Sequence, residues 1–169
     1  MDSKRRNCQE QPMNIFIYDL EHHLNVQYHA DKHLVKMITE YNQILSATHW
    51  LTGSTAPYKL THKKHPCVLW CLQSQENYHW LVKLNQALCE EYTYRYDKIH
   101  KGQEIVSILA ENVPNLSDNG LTAFVQVMPE QYRHEEVVTA YRQYFIGEKQ
   151  HLAHWKRRDI PEWFILMKN

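Results

Sequence analysis

Residues 29–45, HADKHLVKMITEYNQIL, hold two histidines, an aspartate, two lysines and a glutamate among evenly spaced aliphatics. His29, His33, Lys36 and Glu40 fall at i, i+4, i+7 and i+11, so a helix would carry them on one stripe, with Lys32 and Gln43 alongside. Imidazole, ammonium and carboxylate in one row supply a general acid or base, and a nucleophile or phosphate contact. The same spacing describes a solvated face with a Lys36–Glu40 pair worth about 0.2–0.5 kcal/mol. Taken alone, the pattern favours that solvated face.

Two further clusters could hold phosphates. KLTHKKHP, residues 59–66, puts His62, Lys63, Lys64 and His65 in a loop that leads into a helix, where side chains and the helix N-terminus can meet an anion. EEYTYRYDKIHK, residues 90–101, interleaves tyrosines with Arg95, Lys98, His100 and Lys101. That mixture suits a strand gripped by its phosphates and stacked bases, and suits equally a helix end with cations near its C-terminus. Tyr141, Arg142 and Lys149 in YRQYFIGEK, and HWKRR at 154–158, have the same aromatic and cationic character. His62, His65, Cys67 and Cys71 are types that bind zinc, but their spacing is not that of a knuckle and Cys67 and Cys71 share an apolar helical face with Trp70. No metal site is expected. No Walker loop, dinucleotide fingerprint or nucleophile elbow is present, and the chain calls for no cofactor.

The elements that must position these groups follow from periodicity. Leu34, Met37, Ile38, Tyr41, Ile44 and Leu45 recur at helical period and predict a helix over about 30–49. Residues 51–64 read as a loop. Pro66 suits the first turn of a short helix, and Ser74 is placed to cap the next, whose face of Trp80, Leu81, Leu84, Leu88 and Tyr92 runs to about residue 97. A helix over 102–112 stops before Pro114. Residues 135–156 carry Val138, Tyr141, Phe145, Leu152 and Trp155 at helical spacing, and an aromatic tail follows Pro161. MNIFIYDL, residues 13–20, is a brief strand or an extended lead-in, and LTAFVQVMPEQY is ambiguous.

The expected fold is a mainly α, single compact domain of about five helices over residues 13–169, preceded by a disordered leader at 1–12. A chain of 169 residues with 43% apolar composition can bury such a core. Nineteen basic and nineteen acidic residues cancel, so no global field draws the molecule to nucleic acid or membrane, although twelve histidines make it cationic near pH 5. Free buried cysteines, no signal peptide and no membrane-length apolar run fit a reducing cytoplasm, or a host cytoplasm if the source is viral.

DKHLVKMITEYNQIL, then HPCVLW and EEYTYRY, resembles the pyrimidine-dimer DNA glycosylase superfamily of the phage endonuclease V type. The likeness is nearer to uncharacterised phage and bacterial relatives that begin MNIF, where it spans most of residues 13–165. The resemblance implies a compact helical repair protein that flips a nucleotide and cuts a glycosidic bond through an imine at the sugar. The family's catalytic carboxylate sits nine residues beyond the Asp of an Asp-x-His-Leu element; here Asp31-Lys32-His33-Leu34 is that element and Glu40 stands nine residues after Asp31. The resemblance thus implies Glu40 as the catalytic carboxylate and His33 as a DNA or transition-state contact. Thr39 and Gln43 stand where the family has arginines flanking the carboxylate. The family's nucleophile is a processed N-terminal amine, whereas twelve residues precede MNIF here. Lys36 or Lys32 is then the available amine, or water attacks while Glu40 steers it.

The leading expectation is therefore a DNA glycosylase that excises a damaged or modified, pyrimidine-type base, with or without a lyase step. His29 and the cationic clusters would contact DNA. A non-catalytic nucleotide- or nucleic-acid-binding protein with a regulatory or viral counter-defence role uses the same groups without turnover. A protein-interaction module with a tyrosine-rich surface is the third reading.

Overall fold

A computed structural model describes residues 13–169, and the leader expected at 1–12 lies outside the described residues. Seven α-helices occupy the described residues: α1 (His22–Tyr28), α2 (Asp31–Leu51), α3 (Pro66–Cys71), α4 (Gln75–Tyr96), α5 (Gly102–Glu111), α6 (Val137–Tyr144) and α7 (Glu162–Met167). These residues contain no strand, and about five of the helices do most of the packing, as the expected all-helical class requires.

The apolar stripe read from the sequence does form the inner face of α2. Leu34, Met37, Ile38, Tyr41, Ile44 and Leu45 are all buried against α3, α4 and α5. Burial of each such side chain is worth about 1.5–3 kcal/mol, which far outweighs helix propensity in holding the helix. The predicted punctuation also holds. Pro66 opens α3, and the Ser74 hydroxyl accepts the Asn77 amide at 3.1 Å to cap α4. α4 ends at Asp97, whose left-handed φ of 52° an Asp tolerates.

Where α2, α4 and α5 cross, buried amides set the register. Asn85 donates to Asn42 Oδ1 at 2.9 Å and to the Ile38 carbonyl at 3.2 Å, while Asn42 donates to the Gly102 carbonyl at 3.0 Å. A Cβ at Gly102 would lie 2.6 Å from Ile38 Cγ2, so α5 can approach α2 this closely only through glycine.

MNIFIYDL is an extended lead-in rather than a strand. Met13–Tyr18 runs buried through the core with side chains as its backbone partners. The Phe16 amide donates to Tyr41 Oη at 3.0 Å and the Tyr18 amide to Asn25 Oδ1 at 2.8 Å. Asn25 returns a bond to the Phe16 carbonyl at 3.1 Å. Buried backbone without a ladder must find such partners.

The helical spacing at 135–156 breaks where the sequence expects it to continue. α6 passes into a π-helical turn, Phe145–Lys149, then a 3₁₀ turn, Gln150–Leu152. Tyr132 packs so closely on Gly147 within this turn that a Cβ there would overlap its ring. The wider turn directs Phe145 inward, toward α2.

Candidate active site

The polar stripe of α2 divides by depth. Lys32 and Lys36 are exposed, Glu40 is half-buried and His33 lies in the core; His29, expected on the same stripe, is also buried but stands before α2, closing α1 with extended backbone. Lys36 Nζ stands 3.4 Å from Glu40 Oε1, and the carboxylate side chain keeps only 14% of its surface. Burial pushes the Glu40 carboxyl above its ordinary value, and the basic groups that oppose this come from three elements: Lys36 on α2, His62 in the loop before α3, and Lys149 at the end of the π-turn. Lys149 is itself lowered by burial, with Glu148 raising it and Lys36 lowering it. Glu40 is thus a partly desolvated carboxylate paired with Lys36, with electrostatic influence from groups distant in the chain.

His33 lies two turns earlier on α2 and faces the core. Its ring stacks on Phe16 at 4.4 Å and meets the edge of Phe145 at 6.3 Å. Burial lowers its pKa to about 3, assisted by His29, Lys149 and Lys36, so the imidazole is neutral at physiological pH. Its Nδ1 is buried without a hydrogen-bond partner. A polar atom left unpaired at that depth costs free energy, and sites that hold one are often functional.

Several other residues of the expected site are used inside the protein. His29 donates from Nδ1 to the Asn25 carbonyl at 2.8 Å and accepts from the Tyr41 hydroxyl at 3.3 Å, with a pKa lowered to about 4 by burial. It is a core tie and cannot reach DNA. Arg95 is wholly buried: it caps the open end of α1 through the Val26, Gln27 and His29 carbonyls at 3.2, 3.0 and 2.8 Å. It also pairs with Glu91 at 2.8 Å and Asp31 at 3.0 Å. Its expected phosphate contact is therefore corrected to a structural clamp. Tyr141 is also buried, donating to Asn14 Oδ1 at 2.7 Å, and Arg142 donates to the Tyr18 carbonyl at 2.9 Å with its guanidinium against Trp163. His65 and His100 accept the Cys67 and Gly102 amides and so order the starts of α3 and α5. His62, Lys63, Lys64, Lys98 and Lys101 remain exposed and available to a phosphate.

Asp31, the first residue of the Asp-x-His-Leu element, anchors the stripe. Its carboxylate receives Arg95, the Lys156 amide at 2.9 Å and the His154 ring. Burial would raise its pKa, but these hydrogen bonds outweigh it and hold the carboxyl below its ordinary range. The element thus fixes the start of α2, and Glu40 projects two and a half turns further along.

The sequence reading missed Phe16 and Phe145 as walls of the site. Their aromatic type in apolar runs looked like core, and only the tertiary contact with His33 distinguishes them.

Residues 13–103, more than half of the chain, match the sequence model of the family described as pyrimidine dimer DNA glycosylase. No curated protein and no solved structure matches. The match spans α1 to α4 and the first residues of α5, and so includes Asp31, His33, Lys36, Glu40 and His62, while Phe145 and Lys149 reach the site from beyond it. The chain belongs to the pyrimidine dimer DNA glycosylase family.

Proposed function

We propose that this protein excises a damaged or modified pyrimidine-type base from DNA with Glu40 as the catalytic carboxylate. The observation that carries this reading is the position of Glu40: nine residues past Asp31 in a family-matched segment, half-buried, and 3.4 Å from the Lys36 amine. Cleavage of a glycosidic bond builds positive charge on the sugar at C1′. A carboxylate held close to that carbon in a partly water-free site stabilises the charge more than one in water. Neutral His33, buried on the same helix two turns before Glu40, stacks on Phe16 and so holds the inner side of this part of α2.

The bond to the base breaks with its electron pair passing to the base, which then takes a proton. C1′ accepts either water, deprotonated with help from Glu40, or the amine of Lys36. In the second case an imine forms, and a lyase step can follow. Lys36 is nearer than Lys32 to the carboxylate, standing 3.4 Å from it. Lys32, Lys63 and Lys64 hold phosphates from the exposed rim, and the target nucleotide leaves the stack to reach Glu40.

Borohydride trapping on duplexes with damaged pyrimidines tests the nucleophile. A covalent adduct lost in Lys36→Ala and kept in Lys32→Ala assigns the amine to Lys36. Base release without an adduct assigns water. A wild-type protein that binds such DNA and releases no base overturns catalysis and leaves nucleic-acid binding as the function.

A further inference from the structure

The last turn of α2 carries a hydrogen-bonded relay that has no part in the Glu40 site. His49 is 4% exposed, and its two ring nitrogens meet different partners. Nε2 lies 2.8 Å from the Tyr78 hydroxyl and Nδ1 lies 3.0 Å from Ser54 Oγ. Proton counting fixes the direction of each bond. Tyr78 has one hydroxyl proton and gives it to the Leu109 carbonyl at 2.7 Å, so its oxygen accepts from Nε2–H. A neutral imidazole has one N–H, which leaves a lone pair on Nδ1, and the Ser54 hydroxyl donates to it. Burial lowers the His49 pKa, outweighing a hydrogen bond to the Asn112 backbone that raises it, and so favours that neutral form. The other acceptor within reach of Ser54 Oγ, the His49 carbonyl, is more distant at 3.3 Å.

The turn after α2 is shaped to make this contact. Gly53 takes a φ of 87°, open to glycine, and the Ser54 amide returns to the His49 carbonyl at 3.0 Å, which brings the hydroxyl over the ring. Ser54 is exposed and opens on a cleft of about 570 Å³ whose walls include Ala56, Pro57, Ile108 and Val113, with Asn112 as a polar neighbour. A hydroxyl bonded to a neutral imidazole, with the far side of that imidazole held by a third group, is the arrangement of an activated nucleophile.

We propose that Ser54 is a base-activated nucleophile in a second site, with His49 as its general base and Tyr78 as a positioning residue, and that the site accepts acyl groups from small apolar esters. In the first half Ser54 Oγ bonds to the ester carbonyl carbon as its proton passes to His49 Nδ1. The carbon–oxygen bond to the leaving group then breaks, and the imidazolium returns the proton to the departing alcohol. In the second half water repeats the sequence on the acyl-serine and frees the acid. Tyr78 holds Nε2–H throughout. This site is independent of the glycosylase reading.

A fluorophosphonate probe and p-nitrophenyl butyrate test it on the full-length protein. Wild type is expected to gain one phosphonyl group on the Ser54 peptide, with loss of fluoride, and to release nitrophenolate. Ser54→Ala, at an exposed turn, is expected to lose both signals while its melting temperature and DNA binding stay unchanged. His49→Gln should slow labelling at least tenfold, and Tyr78→Phe should slow it less, with folding checked by circular dichroism. Folded wild-type protein that gains no adduct, or a folded His49→Gln that labels as fast as wild type, overturns the proposal.

Discussion

The Glu40 carboxylate works against the stability of its own helix. Its pKa is raised, so the folded state favours the protonated form, and ionisation at neutral pH opposes folding. Stability from this group therefore grows as pH falls from the raised value toward the ordinary one. Glu40→Gln should accordingly keep or slightly raise the melting temperature at pH 7 in a calorimetric scan. The two buried histidines act in the opposite sense. Their folded pKa values of about 4 for His29 and about 3 for His33 lie below the ordinary 6.5, so the unfolded chain binds protons first. Stability is present above pH 6.5 and is lost as pH falls from there toward 3. The slope approaches about 1.4 kcal/mol per pH unit for each histidine. Denaturant melts between pH 7 and 4 should show this slope, and His29→Gln should flatten it. At this scale the sequence was legible for types and spacing and silent on depth. His33, Lys36 and Glu40 lie on α2 at the spacing read, whereas His29 falls outside it as the extended residue that closes α1, and the depth of His33 is set by Phe16 and Phe145, far apart in the chain.

At the scale of elements, the helices that can be read locally are those whose signals are local. α2 declares itself by period, α3 by Pro66 and α4 by Ser74. The segment after α6 could not be read in this way: its π-turn has no local signal in the sequence, and its Gly147 meets Tyr132 from outside the segment. The same limit explains Arg95. Among tyrosines near a helix end it looks like a phosphate contact, yet its partners are carbonyls of α1 and the Asp31 carboxylate, more than sixty residues away. Arg95→Met should destabilise the protein by about 3–5 kcal/mol in urea unfolding, because buried Glu91 and partly buried Asp31 lose their shared cation and the α1 carbonyls lose their donor. Arg158, which meets Glu91 at 2.7 Å, moderates the loss. Gly102→Ala should also destabilise, by about 1–3 kcal/mol, since the new methyl overlaps Ile38 and forces α5 off α2.

Over the whole molecule, balanced charge and local cationic rims belong together. With nineteen basic and nineteen acidic residues, long-range steering to DNA is weak, and under the proposed function binding comes from local cations, for which exposed Lys32, Lys63 and Lys64 are the candidates. Lys63→Ala and Lys64→Ala should each lower the slope of log affinity against log salt by about 1, with little change in base preference. The site is an assembly of the whole chain: α2 supplies Glu40, the loop before α3 supplies His62, and the π-turn beyond the family-matched segment supplies Lys149 and the Phe145 wall. The central claim is that Glu40 breaks the glycosidic bond. Its most direct test is base release from ultraviolet-damaged duplex DNA by wild type and Glu40→Gln, with DNA binding measured on the same samples. Binding should persist in the variant while release falls about 10²–10⁴-fold. Equal release by both proteins would contradict the assignment.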